Sequence, residues 1–484
     1  MKLVYDINQK PPIAKNLLFA FQQVLAIMAA TLLVPLLVNI NSGTNYMSQP
    51  AALLGAGCGT LFYIFMTKKK SPVFLGSSFA FISPLIGATA FGFMGIFLGA
   101  LFAGLVYVII ALVLTKTGSA WVNKLLPAVV IGPTVALIGL SLCGSAVNNL
   151  TNTASDYQYV SVKEGYTVEA SAPSEEAVSA FTVSGEFAGE EAAAADAFEI
   201  ATSTNYSLMH ILLGIFAFVM TVWASVKGPK WMRMVPFIIG ILSAYVVGLL
   251  LNLCGLNVVD LSYFKGVKIF EVPNFTFLGM FKDGFKDFEG FSSVLNLFVL
   301  FAPVAFVTLA EHIADHKNLS TIVNRDLITD PGLDRTLIGD GAGSIVGAFF
   351  GGCPNTTYGE SVGCVAITGN ASVSTIIIAA IYCIVLAFFG PFTAFVSSIP
   401  TCIVGGVCIA LYGFIAVSGL KMVQNVDLND NRNLFVVAAI LVTGIGGLEL
   451  HLGPVTISSI ACGLILGIII NVIFNRRKAN EIEG

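Results

Sequence analysis

Eleven apolar runs, each close to twenty residues long, succeed one another along the 484-residue chain: 17–40, 50–67, 91–115, 125–146, 207–226, 234–255, 297–323, 372–394, 399–418, 432–449 and 453–475. About 20 apolar residues in a helix cross the hydrocarbon core of a bilayer, where every backbone polar group must be satisfied internally. The chain is therefore committed to an all-α polytopic membrane protein. Three weaker segments belong with the eleven. Residues 72–88 and 353–369 are short and interrupted by Gly or Pro, and 335–351 is apolar but Gly-rich. Counting all three predicts fourteen transmembrane segments.

Composition agrees. Only 11% of residues are charged, against about 25% in soluble domains, and no basic surface suggests nucleic acid. The nine cysteines are scattered through apolar segments with no Cys-x-x-Cys or Cys/His cluster, so they read as small buried hydrophobes. No nucleophile–base pair or metal cluster stands out, so neither an enzyme nor a cofactor is expected. Met1–Lys15 is polar and leads straight into a full-length span, unlike a cleavable signal.

Basic residues orient the spans. With the N-terminus inside, 19 of the 24 Lys and Arg fall on the cytoplasmic side and the other five lie in two long outer loops. The positive-inside rule is weighted to short loops, and every short outer loop lacks Lys and Arg. An odd number of spans would invert part of this pattern, so both termini are expected in the cytoplasm. Ten of the 28 acids fall in 150–206, beside the single Lys163. A segment so rich in Ala, Ser, Glu and Thr buries too little surface to offset its ordering entropy, which predicts a flexible outer loop dispensable for transport. The more aromatic 256–290 is expected to form a short helix on the outer face.

The chain also repeats itself. Gly132-Pro-Thr-Val-Ala136-Leu137-Ile138-Gly139 recurs as Gly406-Val-Cys-Ile-Ala410-Leu411-Tyr412-Gly413, each preceded by a proline, Pro127 and Pro400. The interrupted segments 72–88 and 353–369 are separated by a similar distance. Seven spans per half would invert the second copy in the membrane. Two broken segments at corresponding positions of two halves point to a transporter's central site. Ser77–Ile82 and Thr356–Glu360 are expected to run extended, with half-helices after them aiming positive N-terminal ends at one point. Glycines that merely permit close helix packing are the plainer reading.

Two acidic places stand out. Glu360 is the only charge between Asp340 and Lys421, and a carboxylate at helix-centre depth costs roughly 2.5–3.5 kcal/mol on insertion scales. The other is Ala310-Glu311-His312-Ile313-Ala314-Asp315-His316. Glu311 and Asp315 share one helix face, as do His312 and His316. Two neighbouring carboxylates in low dielectric hold a proton between them, which makes this a relay candidate. A helix begun at Phe291 would place Glu311 about 30 Å along, near the inner edge; one spanning 297–323 would centre it. Periodicity does not choose. A solvated cytoplasmic helix end accounts for Asp315 and His316 equally well. Gln22 and Gln23 suit a ligand or a link between helices, and Tyr412, where the first half has Ile138, suits a hydroxyl partner or packing.

Gly76-Ser-Ser-Phe-Ala-Phe-Ile-Ser83, Ala310-Glu-His312, Pro354-Asn-Thr-Thr-Tyr-Gly-Glu360 with Gly363, and Gly405-Gly-Val with Leu411-Tyr-Gly413 together resemble the nucleobase–ascorbate transporter family over nearly the whole chain. The Tyr-Gly-Glu form is similar to its uracil-carrying branch, whereas purine and xanthine carriers tend to a Gln-Asn version. The resemblance implies fourteen helices in two inverted seven-segment repeats. It implies a core domain (1–120 with segments 1–4, and 291–396 with segments 8–11) and a gate domain (121–255 with segments 5–7, and 397–484 with segments 12–14 and a cytoplasmic tail), with 256–290 as an outer loop. It further implies uracil uptake across the cytoplasmic membrane by proton symport and alternating access, in a homodimer. Uracil would lie between segments 3 and 10, at Glu311, Glu360, Phe79, Gly359, Tyr358 and Ser78, with the proton handled by Glu311, Asp315, His316 and Tyr412. Two departures bear on the proton: Gln22-Gln23 replaces the family's frequent Gln-His, and the relatives' histidine one turn after Glu311 aligns with Asp315 rather than His316. Another nucleobase such as xanthine or uric acid, a small anion, or a channel are the alternatives. Two buried acids without a buried Lys or Arg speak against a permanent anion, and isolated acids in broken helices suit an occluded site better than a charged ring.

Overall fold

The computed structural model describes residues 3–118, 121, 125–151, 158–162, 167–170, 181–184, 198–202, 204–229, 232–233, 235–424, 426–452 and 455–482. Helices dominate, and among the described residues eight are long and apolar enough to cross a membrane. In order come α1 (Ile13–Ser42), α2 (Gln49–Met66), β1 (Leu75–Ser77), α3 (Ile82–Ala88), α4 (Gly92–Thr117), α5 (Ala128–Ser141) and α6 (Cys143–Thr151). The strands β2 (Gln158–Val162), β3 (Thr167–Ala170), β4 (Phe181–Ser184) and β5 (Phe198–Thr202) precede α7 (Thr204–Val226), α8 (Pro236–Leu253) and α9 (Thr276–Asp283). Then follow α10 (Phe291–Val323), α11 (Leu333–Gly351), β6 (Asn355–Thr357), α12 (Gly359–Thr368), α13 (Val373–Ala387) and α14 (Gly390–Ser397). The chain closes with α15 (Thr401–Val423), α16 (Asn431–Ile445), β7 (Leu450–Leu452), β8 (Val455–Ile457) and α17 (Ser459–Ile482).

Each weak segment of the sequence becomes a distinct local structure. Residues 335–351 form the continuous α11, while 72–88 and 353–369 become strand-then-helix units, β1–α3 and β6–α12. The segment expected as a flexible loop carries two antiparallel ribbons, β2 with β5 and β3 with β4. Its average composition hides short runs such as Gln-Tyr-Val-Ser-Val and Phe-Glu-Ile-Ala-Thr, whose aromatic and β-branched residues suit strands. The rest of the stretch between α6 and α7 lies outside the described residues. The short helix foreseen in 256–290 is α9, packed on α4 and α11.

Packing sorts the helices into two groups. α1, α2, α4, α10, α11 and α13 pack on one another, and α5, α6, α7, α8, α15, α16 and α17 do the same. The groups touch where α10 meets α5, α17 and β8, and where α1 meets α8. Lipid supplies no hydrophobic drive for helices to associate, so close backbone packing must hold each group together. A Cβ on Gly55 of α2 would stand 2.5 Å from the Gly347 carbonyl oxygen of α11, and one on Gly59 would stand 2.7 Å from that of Gly343. In the second group a Cβ on Gly139 of α5 would lie 2.5 Å from the Ala416 nitrogen of α15. The helices carrying the two copies of the glycine repeat thus pack directly on each other.

Candidate functional site

The two broken segments meet. β1 and β6 pair antiparallel in the register Leu75 with Thr357, Gly76 with Thr356 and Ser77 with Asn355. All six residues are buried, so this short ribbon must find its remaining partners within the protein. The Leu75 amide donates to Thr60 Oγ1 at 3.0 Å and the Thr60 hydroxyl donates back to the Leu75 carbonyl at 3.2 Å. Asn355 Nδ2 donates to the Gly55 carbonyl at 3.0 Å, and the Ser344 hydroxyl donates to the Asn355 carbonyl. Gly76 has no substitute: its Cβ would stand 2.3 Å from the Tyr358 ring, whose hydroxyl donates to the Ser77 carbonyl at 2.6 Å.

The extended pieces are shorter and earlier than the expected Ser77–Ile82 and Thr356–Glu360. Extended backbone persists only where the other strand is there to bond it. Beyond that register Phe79–Phe81 turns as a 3-10 helix into α3, and Gly359 opens α12 with Glu360 in its first turn. The first amides of a helix lack intrahelical acceptors, so the turn at Phe79 and the start of α12 aim amides and the positive end of a helix dipole at the crossing.

A cavity of about 160 Å³ lies against this crossing. One wall is Ser78, Phe79 and Ala80; a second is Thr356–Glu360; a third is Glu311, Ala314 and Asp315 of α10; α5 and α15 close it with Val135, Ile138, Phe414, Ile415, Ser418 and Met422. All six residues expected to touch substrate, Glu311, Glu360, Phe79, Gly359, Tyr358 and Ser78, line this one space, and Asp315 joins them. Among the described lining residues three are carboxylates and none is Lys or Arg. α10 starts at Phe291 and continues for 33 residues, about 50 Å at 1.5 Å per residue. Glu311 therefore sits about two-thirds of the way along, between the two expected depths.

His316 and Tyr412 stand elsewhere. His316 is fully buried behind the cavity: its Nδ1 donates to the His312 carbonyl at 2.8 Å, its Nε2 lies 2.8 Å from the Tyr63 hydroxyl, and its ring stacks on His312 at 4.1 Å. His312 Nδ1 in turn lies in hydrogen-bond contact with Asp340 Oδ2 of α11 at 2.7 Å, with both side chains wholly buried. Tyr412 is buried behind Phe79, its ring edge-on to that ring at 6.2 Å. Its repeat counterpart Ile138 is the one that reaches the cavity. Gln23 links helices, donating to Ser361 Oγ, which also accepts the Phe74 amide at 3.1 Å.

Asp340 escaped the sequence reading, which used it only to bound an uncharged stretch. The available signal was its spacing from Thr336 and Ser344 on one face of a glycine-rich helix. The cavity wall from α5 and α15 was also missed, because apolar residues lining a space and apolar residues facing lipid look alike in sequence. Among the described residues, no group of three or more His, Cys, Asp or Glu is placed to hold a metal ion.

A family model described as the permease family matches residues 14–172 and 179–453. The chain belongs to this family, the nucleobase–ascorbate transporters. It is 36% identical over 480 residues to the uracil permease of Bacillus caldolyticus, covering 98% of this chain and 96% of that one. It is 34% identical to the uracil permease of Bacillus subtilis (strain 168), with 96% and 94% covered, and 29% identical to that of Escherichia coli (strain K12), with 97% and 93% covered. Solved structures share the fold at low identity. The transmembrane domain of the cyanobacterial bicarbonate transporter BicA superposes with a TM-score of 0.54 at 13% identity, covering 96% of this chain and all of that one. The murine anion transporter Solute Carrier 26 family member A9 gives 0.60 at 11% identity, with 97% and 69% covered. The permease is thus a multi-pass membrane protein of that fold class.

Proposed function

We propose that this permease carries uracil into the cell across the cytoplasmic membrane, by proton symport and alternating access. The observation that carries the reading is the convergence of three carboxylates and two helix N-termini on one small cavity at the β1–β6 crossing. Uracil is planar, with two N–H donors and two carbonyl acceptors that all need partners once dehydrated. Glu360 and Glu311 accept from its N–H groups; the first amides of the pieces at Phe79 and Gly359 donate to its carbonyls. Ser78 and Tyr358 frame the same face. The uracil permeases among the relatives, matched over nearly their full length, support the same cargo. A small anion, carried by the fold's anion-transporter neighbours, fits poorly against three carboxylates.

The moving proton belongs on Glu311 and Asp315, which face the cavity one turn apart. His316 and Tyr412, out of reach of the cavity, position α10 and Phe79 instead. The first packing group, with its broken segments, acts as the core (1–120 and 291–396) and the second as the gate (121–255 and 397–484), in a scheme of fourteen segments, two inverted repeats and cytoplasmic termini. The cavity lining includes Ser418 and Met422 near the Lys421 end of α15, the end this topology assigns to the cytoplasm, which suits an inward-facing arrangement. A homodimer completes the assembly. Counterflow of labelled uracil in proteoliposomes, with and without a pH gradient, tests the reading. Saturable exchange that a pH gradient drives uphill supports it; uptake indifferent to pH removes proton coupling, and absence of exchange removes the cargo.

A further inference from the structure

A second cavity, of about 200 Å³, touches Glu360 from its other side. It lies between α1, the start of α8, and α12, and its lining includes Arg233, Ser225, Cys364 and Gly363. The two spaces share only Gly359, Glu360 and Phe414 among their described walls. Phe414 also borders a third space between α7, α8 and α15. Phe414 stands where the three spaces meet and is 62% exposed. By contrast Phe79, across the first cavity, is 8% exposed and braced by Tyr412.

The size of the first cavity gives Phe414 a meaning. About 150 Å³ is room enough for benzene, a single six-membered ring, and the space beside Glu360, at about 160 Å³, is of that order. Opening it into its neighbour would more than double it and would bring Arg233 within the same chamber. Arg233 already uses Nε–H on the Gly228 carbonyl at 2.7 Å, and a guanidinium has further N–H groups for ring nitrogens and carbonyls. A fused two-ring base such as xanthine keeps the N–H and C=O edge of uracil and adds an imidazole ring, which needs space and a donor on one side. The second cavity has both.

We propose that Phe414 is the partition that limits this carrier to one-ring bases by walling off a second, Arg233-bearing chamber. The proposal rests on the uracil reading above and deepens it by naming the residue that sets ring size. Phe414 shares that boundary with Gly359 and Glu360 at the start of α12, and of the three only Phe414 presents a bulky apolar side chain. Rejection of larger bases then comes from one side chain rather than from the hydrogen-bonding edge, since that edge is common to both kinds of ligand.

Competition binding with labelled uracil on the purified permease in detergent tests it, with unlabelled uracil and xanthine as competitors. The quantity read is the ratio of the two dissociation constants, which cancels any general loss of site quality. Phe414→Ala should shift that ratio toward xanthine at least tenfold and Phe414→Leu by an intermediate amount, while Phe414→Trp should not shift it toward xanthine. Adding Arg233→Ala to Phe414→Ala should reverse part of the gain. Should Phe414→Ala prove unfolded by size-exclusion chromatography, Phe414→Leu decides alone. A ratio within twofold of wild type in the folded variants overturns the partition while leaving the uracil reading intact. A wild type that binds neither base overturns the reading and the partition with it.

Discussion

The two broken segments share a backbone plan and differ in chemistry. Each runs three residues in a strand, Leu75–Ser77 or Asn355–Thr357, and then turns into a helical piece. Three residues beyond the strand the first has Ala80 and the second has Glu360. The ribbon is thus symmetric in its main chain, and the carboxylate is placed on one side of it only. Main-chain donors from both halves and an acceptor from one half make a site with a direction, which suits an asymmetric ring such as uracil. Charge could not be duplicated cheaply: a second glutamate at position 80 would put another desolvated carboxylate at a crossing already flanked by Glu311 and Asp315.

The largest expected effect breaks that asymmetry. Glu360→Gln should lower uracil uptake at least a hundredfold with normal amounts of inserted protein, whereas Ala80→Ser, in the matching place, should change it less than tenfold. Uptake in whole cells, normalised to membrane levels, checks both. Next is the ribbon. Gly76→Ala pushes a methyl group into the Tyr358 ring and should cost about 1–3 kcal/mol, as overpacking does. Gly363→Ala, whose Cβ meets nothing within 4 Å, should instead stabilise α12 by about 0.4–1 kcal/mol. Melting temperatures in detergent should move in opposite directions.

A smaller effect concerns how the second segment is held to the first. Tyr358→Phe removes the donor to the buried Ser77 carbonyl and should cost about 1–3 kcal/mol through that unsatisfied oxygen, read as a fall in melting temperature with folded protein still recovered. The smallest is removal of 155–202, which lies outside both broken segments: transport should stay within twofold of wild type. Loss of uptake at normal membrane levels would mean that the β2–β5 and β3–β4 ribbons take part in the cycle.

How far the sequence revealed this site depends on how each residue makes its contribution. Glu311, Asp315 and Glu360 were legible because a charge in an apolar tract must have a reason, and Gly76, Pro354 and Gly359 because they interrupt helices at matching places. Phe414, Ile138 and Met422 were not, since nothing local distinguishes a cavity-lining apolar residue from a lipid-facing one. Asp340 was hidden by its neighbours Asp334 and Arg335, which made the start of that helix look like a solvated end; its role in holding His312 depends on a contact 28 residues distant. His316 illustrates the opposite case. Spacing put it on a helix face with His312, but that face turns toward Tyr63 and α11 rather than toward the cavity. The ribbons within 150–206 were invisible to average composition because four or five residues suffice for each strand.

Uracil is proposed to bind at the crossing of the two broken segments, held there by Glu360. Isothermal titration of uracil into the purified permease, wild type beside Glu360→Gln, is the decisive measurement. Saturable binding to the wild type, with affinity falling at least a hundredfold in the folded variant, is the predicted result. Equal affinity in the two proteins would contradict it.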